Sequence, residues 1–133
     1  MDIEPQWDQK IIQGSDDPAI ERAWTQVETS LRSIRDWSES MNIRFLVIAL
    51  PHRAQVTGIM AGEVHSQRLR DITQRNGIPF VDLLPALKAA YETHGGRLFI
   101  PWDGHNSAVA NKVIAEQVYR RISDLIASHG LTP

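Results

Sequence analysis

Residues 44–50 (Arg-Phe-Leu-Val-Ile-Ala-Leu) form an apolar run without the alternation of polar and apolar side chains that a half-exposed strand shows. Pro51 ends the run. Such a run is typical of a central parallel strand that is buried on both of its faces. Residues 78–83 repeat the pattern, with Pro79 near the start, where a missing backbone N–H is tolerated. The sequence therefore predicts a sheet that contains these two strands.

Around these two runs, apolar residues recur at steps of three and four, which is the pattern of helices that face a core. The predicted helices cover residues 19–41, 61–75, 84–94 and 107–128, and residues 98–100 form a short extended piece. Strands that alternate with helices of these lengths indicate a parallel sheet covered by helices. We expect one α/β domain over residues 1–133, in which residues 1–16 are an irregular lead-in.

The composition excludes several classes of protein. The 133 residues include 14 Lys+Arg and 16 Asp+Glu, a formal net charge of −2, and the basic residues are scattered, so no nucleic-acid partner is expected. Cysteine is absent, which excludes disulfides, thiol catalysis and cysteine-bound zinc. The acidic start is unlike a signal peptide, and no apolar run approaches the ~20 residues of a membrane helix. We expect a soluble chain whose compartment stays open, because a parent protein could be exported.

The segment Asp103-Gly104-His105 is the main candidate for chemistry. A turn through the glycine can set the carboxylate against one imidazole nitrogen and leave the other free to take a proton, which is the base half of a Ser-His-Asp arrangement. The alternative is an ordinary Asp-Gly turn before a helix. A metal site lacks a third ligand at suitable spacing, so we expect neither a metal nor a cofactor.

Four further residues are candidates for the same site, each beside a plain structural alternative. Trp102 lines an acyl or sugar pocket, or packs under the last helix. His52 and Arg53 follow a strand's carboxyl end, where open α/β sheets bind ligands, so they contact substrate or lie on a solvated loop. Ser15 is a nucleophile, or a residue at a helix N-terminus, while Ser107 is best explained as a helix cap.

Residues 98–115, which include Asp103 and His105, resemble the last block of the SGNH (GDSL-type) hydrolase superfamily. Residues 43–53 and 76–83 resemble earlier strand segments of these enzymes, in the same order. The resemblance implies a flavodoxin-like three-layer α/β/α fold and serine-dependent chemistry on acyl esters of small molecules, carbohydrates or lipids. It makes Asp103 the orienting acid and His105 the general base. The D-x-H spacing resembles the branch of polysaccharide O-acetyl-transferring and deacetylating proteins, although Ala110 stands where glycine is usual.

The sequence departs from the family by lacking a Gly-Asp-Ser nucleophile block with its strand and the oxyanion-hole blocks. Ser15 lies in a different residue order, directly before the first long helix. We therefore expect the C-terminal part of a serine esterase or O-acyltransferase, cut from a longer chain or a natural remnant, and inactive alone. The alternative is a non-catalytic binding or assembly module. A missing strand leaves apolar sheet edge uncovered, which favours a homodimer or pairing with the missing N-terminal part.

Overall fold

The computed structural model describes residues 6–128, which form a mostly helical α/β structure with a small two-stranded parallel sheet. Its elements, in chain order, are α1 (Gln6–Gln13), α2 (Pro18–Ser40), β1 (Val47–Ala49), α3 (Arg53–Val56), α4 (Val64–Arg75), β2 (Phe80–Asp82), α5 (Leu84–His94), a 3₁₀ turn (Gly95–Leu98) and α6 (Ala108–Ser128). Contacts divide the chain into two compact units. The first runs up to residue 47 and includes 60–80; the second is 48–59 with residue 81 onward.

Helix α1 corrects the prediction of an irregular lead-in over residues 1–16, since residues 6–13 of that segment are helical. Ile12 on this helix is buried, and Ile11 packs against a buried cluster that includes Trp24 and Ile72. An eight-residue helix is marginal by itself in water. Burial against residues far along the chain stabilises it, and the local sequence pattern does not reveal that burial.

The first unit is built around α2, whose predicted bounds of 19–41 are confirmed within one residue. Asp17 caps this helix by accepting a hydrogen bond from the Ala19 N–H at 2.9 Å. Ion pairs join α2 to α4, one between Glu28 and Arg75. The Arg75 guanidinium and the Asn76 amide donate hydrogen bonds to Glu28 and lower the pKa of its carboxyl to about 2.

Strands β1 and β2 pair in parallel, with the Val47 N–H donating to Pro79 O at 2.9 Å and the Leu83 N–H donating to Ala49 O at 3.2 Å. The prediction that 44–50 is buried on both faces is wrong, because Ile48 and Leu50 are 42% and 54% exposed. Within residues 6–128 the sheet has only two strands, so these apolar side chains lack the covering that a larger sheet would give them.

The second unit encloses a core to which the elements after β2 contribute most. Helix α5 confirms the predicted range 84–94, and α6 confirms a helix capped at Ser107. Helix α3 replaces the solvated loop expected at His52 and Arg53, since His52 is its N-cap and Arg53 its first residue. The buried residues of this core are Val56, Leu83, Leu84, Leu87, Leu98, Phe99 and Ala110. None of the helices described is long and apolar enough to cross a membrane.

Candidate functional site

A short hairpin in the second unit carries the Asp-x-His segment. Phe99 and Asn106 form an antiparallel bridge, and the Ile100 N–H donates to the His105 carbonyl at 2.8 Å. The chain reverses through residues 101–104, where Gly104 has a φ of +79°, a value that favours glycine. The backbone therefore fixes the separation between Ile100 and His105, and the loop between them is short.

Ser107 closes the hairpin and starts the last helix. Its N–H donates to the Leu98 carbonyl at 2.8 Å, and its hydroxyl donates to the Arg97 carbonyl at 2.6 Å. The same hydroxyl accepts from the N–H groups of Val109 and Ala110 at 3.2 and 3.4 Å. The interpretation of Ser107 as a helix cap is thus confirmed. Because Leu98 is fully buried, these bonds tie the hairpin to the core of the second unit.

Asp103 and His105 meet as the sequence predicts. Oδ1 of Asp103 hydrogen-bonds Nδ1 of His105, while Nε2 of His105 has no partner among residues 6–128. The His105 side chain is 80% exposed, so Nε2 is open to molecules in solution. A carboxylate on Nδ1 fixes the orientation of the ring and leaves Nε2 as the nitrogen that can take a proton. This pair can therefore act chemically as an oriented base.

The alternative position of Trp102 beneath the last helix is wrong, because this side chain is fully exposed. Trp102 also has a φ of +68°, which is uncommon for a residue other than glycine. The hairpin thus presents the indole to solvent next to Asp103. A role in contacting substrate stays a prediction.

His52 and Arg53 have different local roles. Nδ1 of His52 accepts from the Ala54 N–H at 3.2 Å, and Gln55 Oε1 accepts from the His52 N–H at 3.0 Å, so His52 caps α3. The Arg53 guanidinium lies over the Phe99 ring, 5.1 Å from its centroid. A Cβ built on Gly104 would lie 3.8 Å from Nη1 of Arg53. The structure thus brings Arg53 to the hairpin.

No serine of the described chain is placed to act as the nucleophile for His105. The Ser15 hydroxyl accepts from the Asp17 N–H at 3.1 Å, next to the start of α2. Among residues 6–128 no hydroxyl hydrogen-bonds His105. In the same range, no three His, Asp or Glu side chains form a group that could hold a metal ion.

No family model matches the sequence, and no curated protein or solved structure matches the chain. The contact that sequence analysis missed is that of Arg53 with Phe99, since no local pattern joins two residues so far apart in the chain.

Proposed function

We propose that this chain supplies the acid and base of an SGNH-type serine esterase or O-acyltransferase that acts on acyl esters of small molecules or carbohydrates. The observation that carries the proposal is the Asp103–His105 hydrogen bond on a hairpin anchored to the core. A base needs a fixed orientation, a free nitrogen and access to solvent, and His105 has all three.

The proposed fold is the flavodoxin-like three-layer α/β/α arrangement of that superfamily, without its N-terminal strand and nucleophile block. Two parallel strands joined by a helical connection support it, as does the place of the hairpin directly before the last long helix. Ligands of open α/β sheets bind outside the carboxyl ends of the strands. His52 and Arg53 follow such an end, after β1.

In a complete site the reaction would run through a serine ester. The serine hydroxyl would attack the ester carbonyl and pass its proton to Nε2 of His105, with Asp103 stabilising the imidazolium. That proton would leave with the alcohol, and water or a second alcohol would then take the acyl group by the reverse steps. With the base alone, the chain would only assist the attack of water on a reactive ester.

The alternative proposal is a non-catalytic binding or assembly module of the same fold. It is favoured by the absence of a hydroxyl bonded to His105 within the described residues. The exposed apolar residues Ile48 and Leu50 on and after β1 suit a homodimer or a chain that supplies the missing strand. A strictly monomeric species in sedimentation at high concentration would contradict the homodimer.

The catalytic proposal is tested by hydrolysis of p-nitrophenyl acetate, with His94→Gln, which removes a half-buried imidazole at the end of α5, as the control for a histidine outside the hairpin. We expect His105→Gln and Asp103→Asn to reduce the rate below that of this control, by less than the ~10²-fold of a complete general base. We expect Ser15→Ala to react like the unmodified chain. Equal rates for His105→Gln and His94→Gln would refute the catalytic proposal and favour the module. Loss of activity in Ser15→Ala would make Ser15 the nucleophile.

A further inference from the structure

Arg53 places a fixed positive charge beside the hairpin. Its guanidinium lies over Phe99, and this ring cannot move freely because Phe99 is only 5% exposed and its backbone bridges to Asn106. A cation on an aromatic face is held there by the negative face of the ring. The stacked guanidinium is therefore pre-positioned, and less side-chain freedom is lost when it binds a ligand.

The Arg53 guanidinium has no ion-pair partner among residues 6–128, and the residue is exposed. Other arginine side chains of the described chain pair with a carboxylate, as Arg75 does with Glu28 and Arg68 with Glu21. A guanidinium that stacks by its face keeps its edge free, and that edge matches a carboxylate through two parallel hydrogen bonds. Arg53 is thus equipped to bind an anion that the described chain does not supply.

The position of Arg53 relates this charge to the proposed site. Its Nη1 lies 3.8 Å, and its Cδ 3.9 Å, from the place of a Cβ on Gly104, the residue between Asp103 and His105. The Asp103 carboxylate is already bonded to His105. If an ester bound with its carbonyl close to His105, a substituent a few bonds from that carbonyl would lie within reach of the Arg53 guanidinium.

From this geometry we propose that Arg53 is a specificity residue that selects acyl esters carrying a carboxylate near the ester bond. This inference rests on the proposed function, since it names the substrate class of the same site. The carboxylate is part of the acyl group, as in a half-ester of a dicarboxylic acid, or part of the alcohol, as in an acylated uronic acid. Both present the same planar anion to the guanidinium.

Binding is measured first, because it does not depend on catalysis. The full chain, labelled with ¹⁵N, is titrated with glutarate against glutaramide and with methyl glucuronoside against methyl glucoside, following the Gly104 amide and the Arg53 Nε–H. We expect at least one anion to bind roughly two- to fivefold more tightly than its neutral analogue, the strength of an exposed charge pair. High salt should reduce the preference. The glutarate arm reports an acyl-side carboxylate, and the glucuronoside arm reports an alcohol-side carboxylate.

Two variants separate this inference from a general charge effect. Arg53→Gln should abolish the preference for the anion, whereas Arg120→Gln, which removes the same charge from α6, should retain it. An unchanged preference in Arg53→Gln, an equal loss in Arg120→Gln, or no shift of Gly104 with millimolar anion would overturn the inference. Far-UV circular dichroism of each variant checks that the helices are intact.

The outcome is also separable from that of the proposed function. If the anion binds at Arg53 while ester hydrolysis does not depend on His105, the esterase proposal fails and an anion site remains. The inference about Arg53 fails alone under a different set of results. Hydrolysis would then depend on His105, binding would show no preference for the anion, and Arg53→Gln would leave the ratio of rates on mono-p-nitrophenyl glutarate and p-nitrophenyl acetate unchanged.

Discussion

Leu98→Ala tests how firmly the candidate site is attached to the core. Leu98 is fully buried in the second unit, and its carbonyl accepts the Ser107 N–H at the base of the hairpin. The substitution removes three buried carbons, which costs about 2.4 kcal/mol in transfer free energy at ~0.8 kcal/mol per methylene. The cavity that remains raises the cost, so we expect a loss of about 3–4 kcal/mol in the free energy of unfolding.

The measurement is urea unfolding followed by far-UV circular dichroism. Ile59→Ala is the matched control, because Ile59 belongs to the same unit and is 83% exposed, and it should cost less than ~0.5 kcal/mol. A difference below ~1 kcal/mol between the two variants would refute the account of the core, since Leu→Ala at a fully buried position costs about 2–5 kcal/mol. At partly denaturing urea, the amides of Ile100 and Ser107, which donate to the His105 and Leu98 carbonyls, should exchange faster in Leu98→Ala than in the unmodified chain.

Two further predictions concern stability. Ser107→Ala should lower the free energy of unfolding by about 0.5–2 kcal/mol, because it removes the acceptor for two N–H groups of α6, and Ser128→Ala at the far end of that helix serves as its control in urea unfolding. The pKa of Glu28 is about 2 in the folded chain, against an ordinary value of 4.5. The ionised Glu28 should therefore stabilise the fold fully above pH ~5, and this stabilisation should be lost as the pH falls toward 2. Between pH 7 and pH 3 the free energy of unfolding should therefore fall less in Glu28→Gln than in Glu39→Gln, which keeps the ion pair. An equal fall in both variants would contradict a stabilising role of the Glu28–Arg75 ion pair.

Much of the helical structure can be predicted because the helices carry their own start and stop signals. Pro85 suits the first turn of α5, and Gly95 ends it with a φ of +57°, so both ends agree with the prediction. Helix α3 escapes prediction since four residues hold no periodic pattern and its cap is a histidine ring. The exposure of Ile48 was wrongly predicted because an apolar run does not report how many strands flank it.

The site divides in the same way between local and distant contacts. Asp103 and His105 are two residues apart with a glycine between them, so the turn that joins them can be predicted from the sequence. The stacking of Arg53 on Phe99 depends on how α3 packs near the hairpin, and only the structure reveals it. The sequence thus predicts the base, and the structure adds the charge beside it.

The exposed indole of Trp102 contributes little to folding. Among residues 6–128 nothing covers this side chain, and the positive φ of the residue costs conformational free energy that a glycine would not incur. A large aromatic side chain covers about 150–250 Å² when buried, which corresponds to about 4–6 kcal/mol of hydrophobic free energy at most. Since residues 6–128 leave the ring uncovered, a molecule that binds from solution and covers it would gain this free energy. Trp102 is therefore an exposed hydrophobic contact residue at the tip of the hairpin, next to the Asp103–His105 pair.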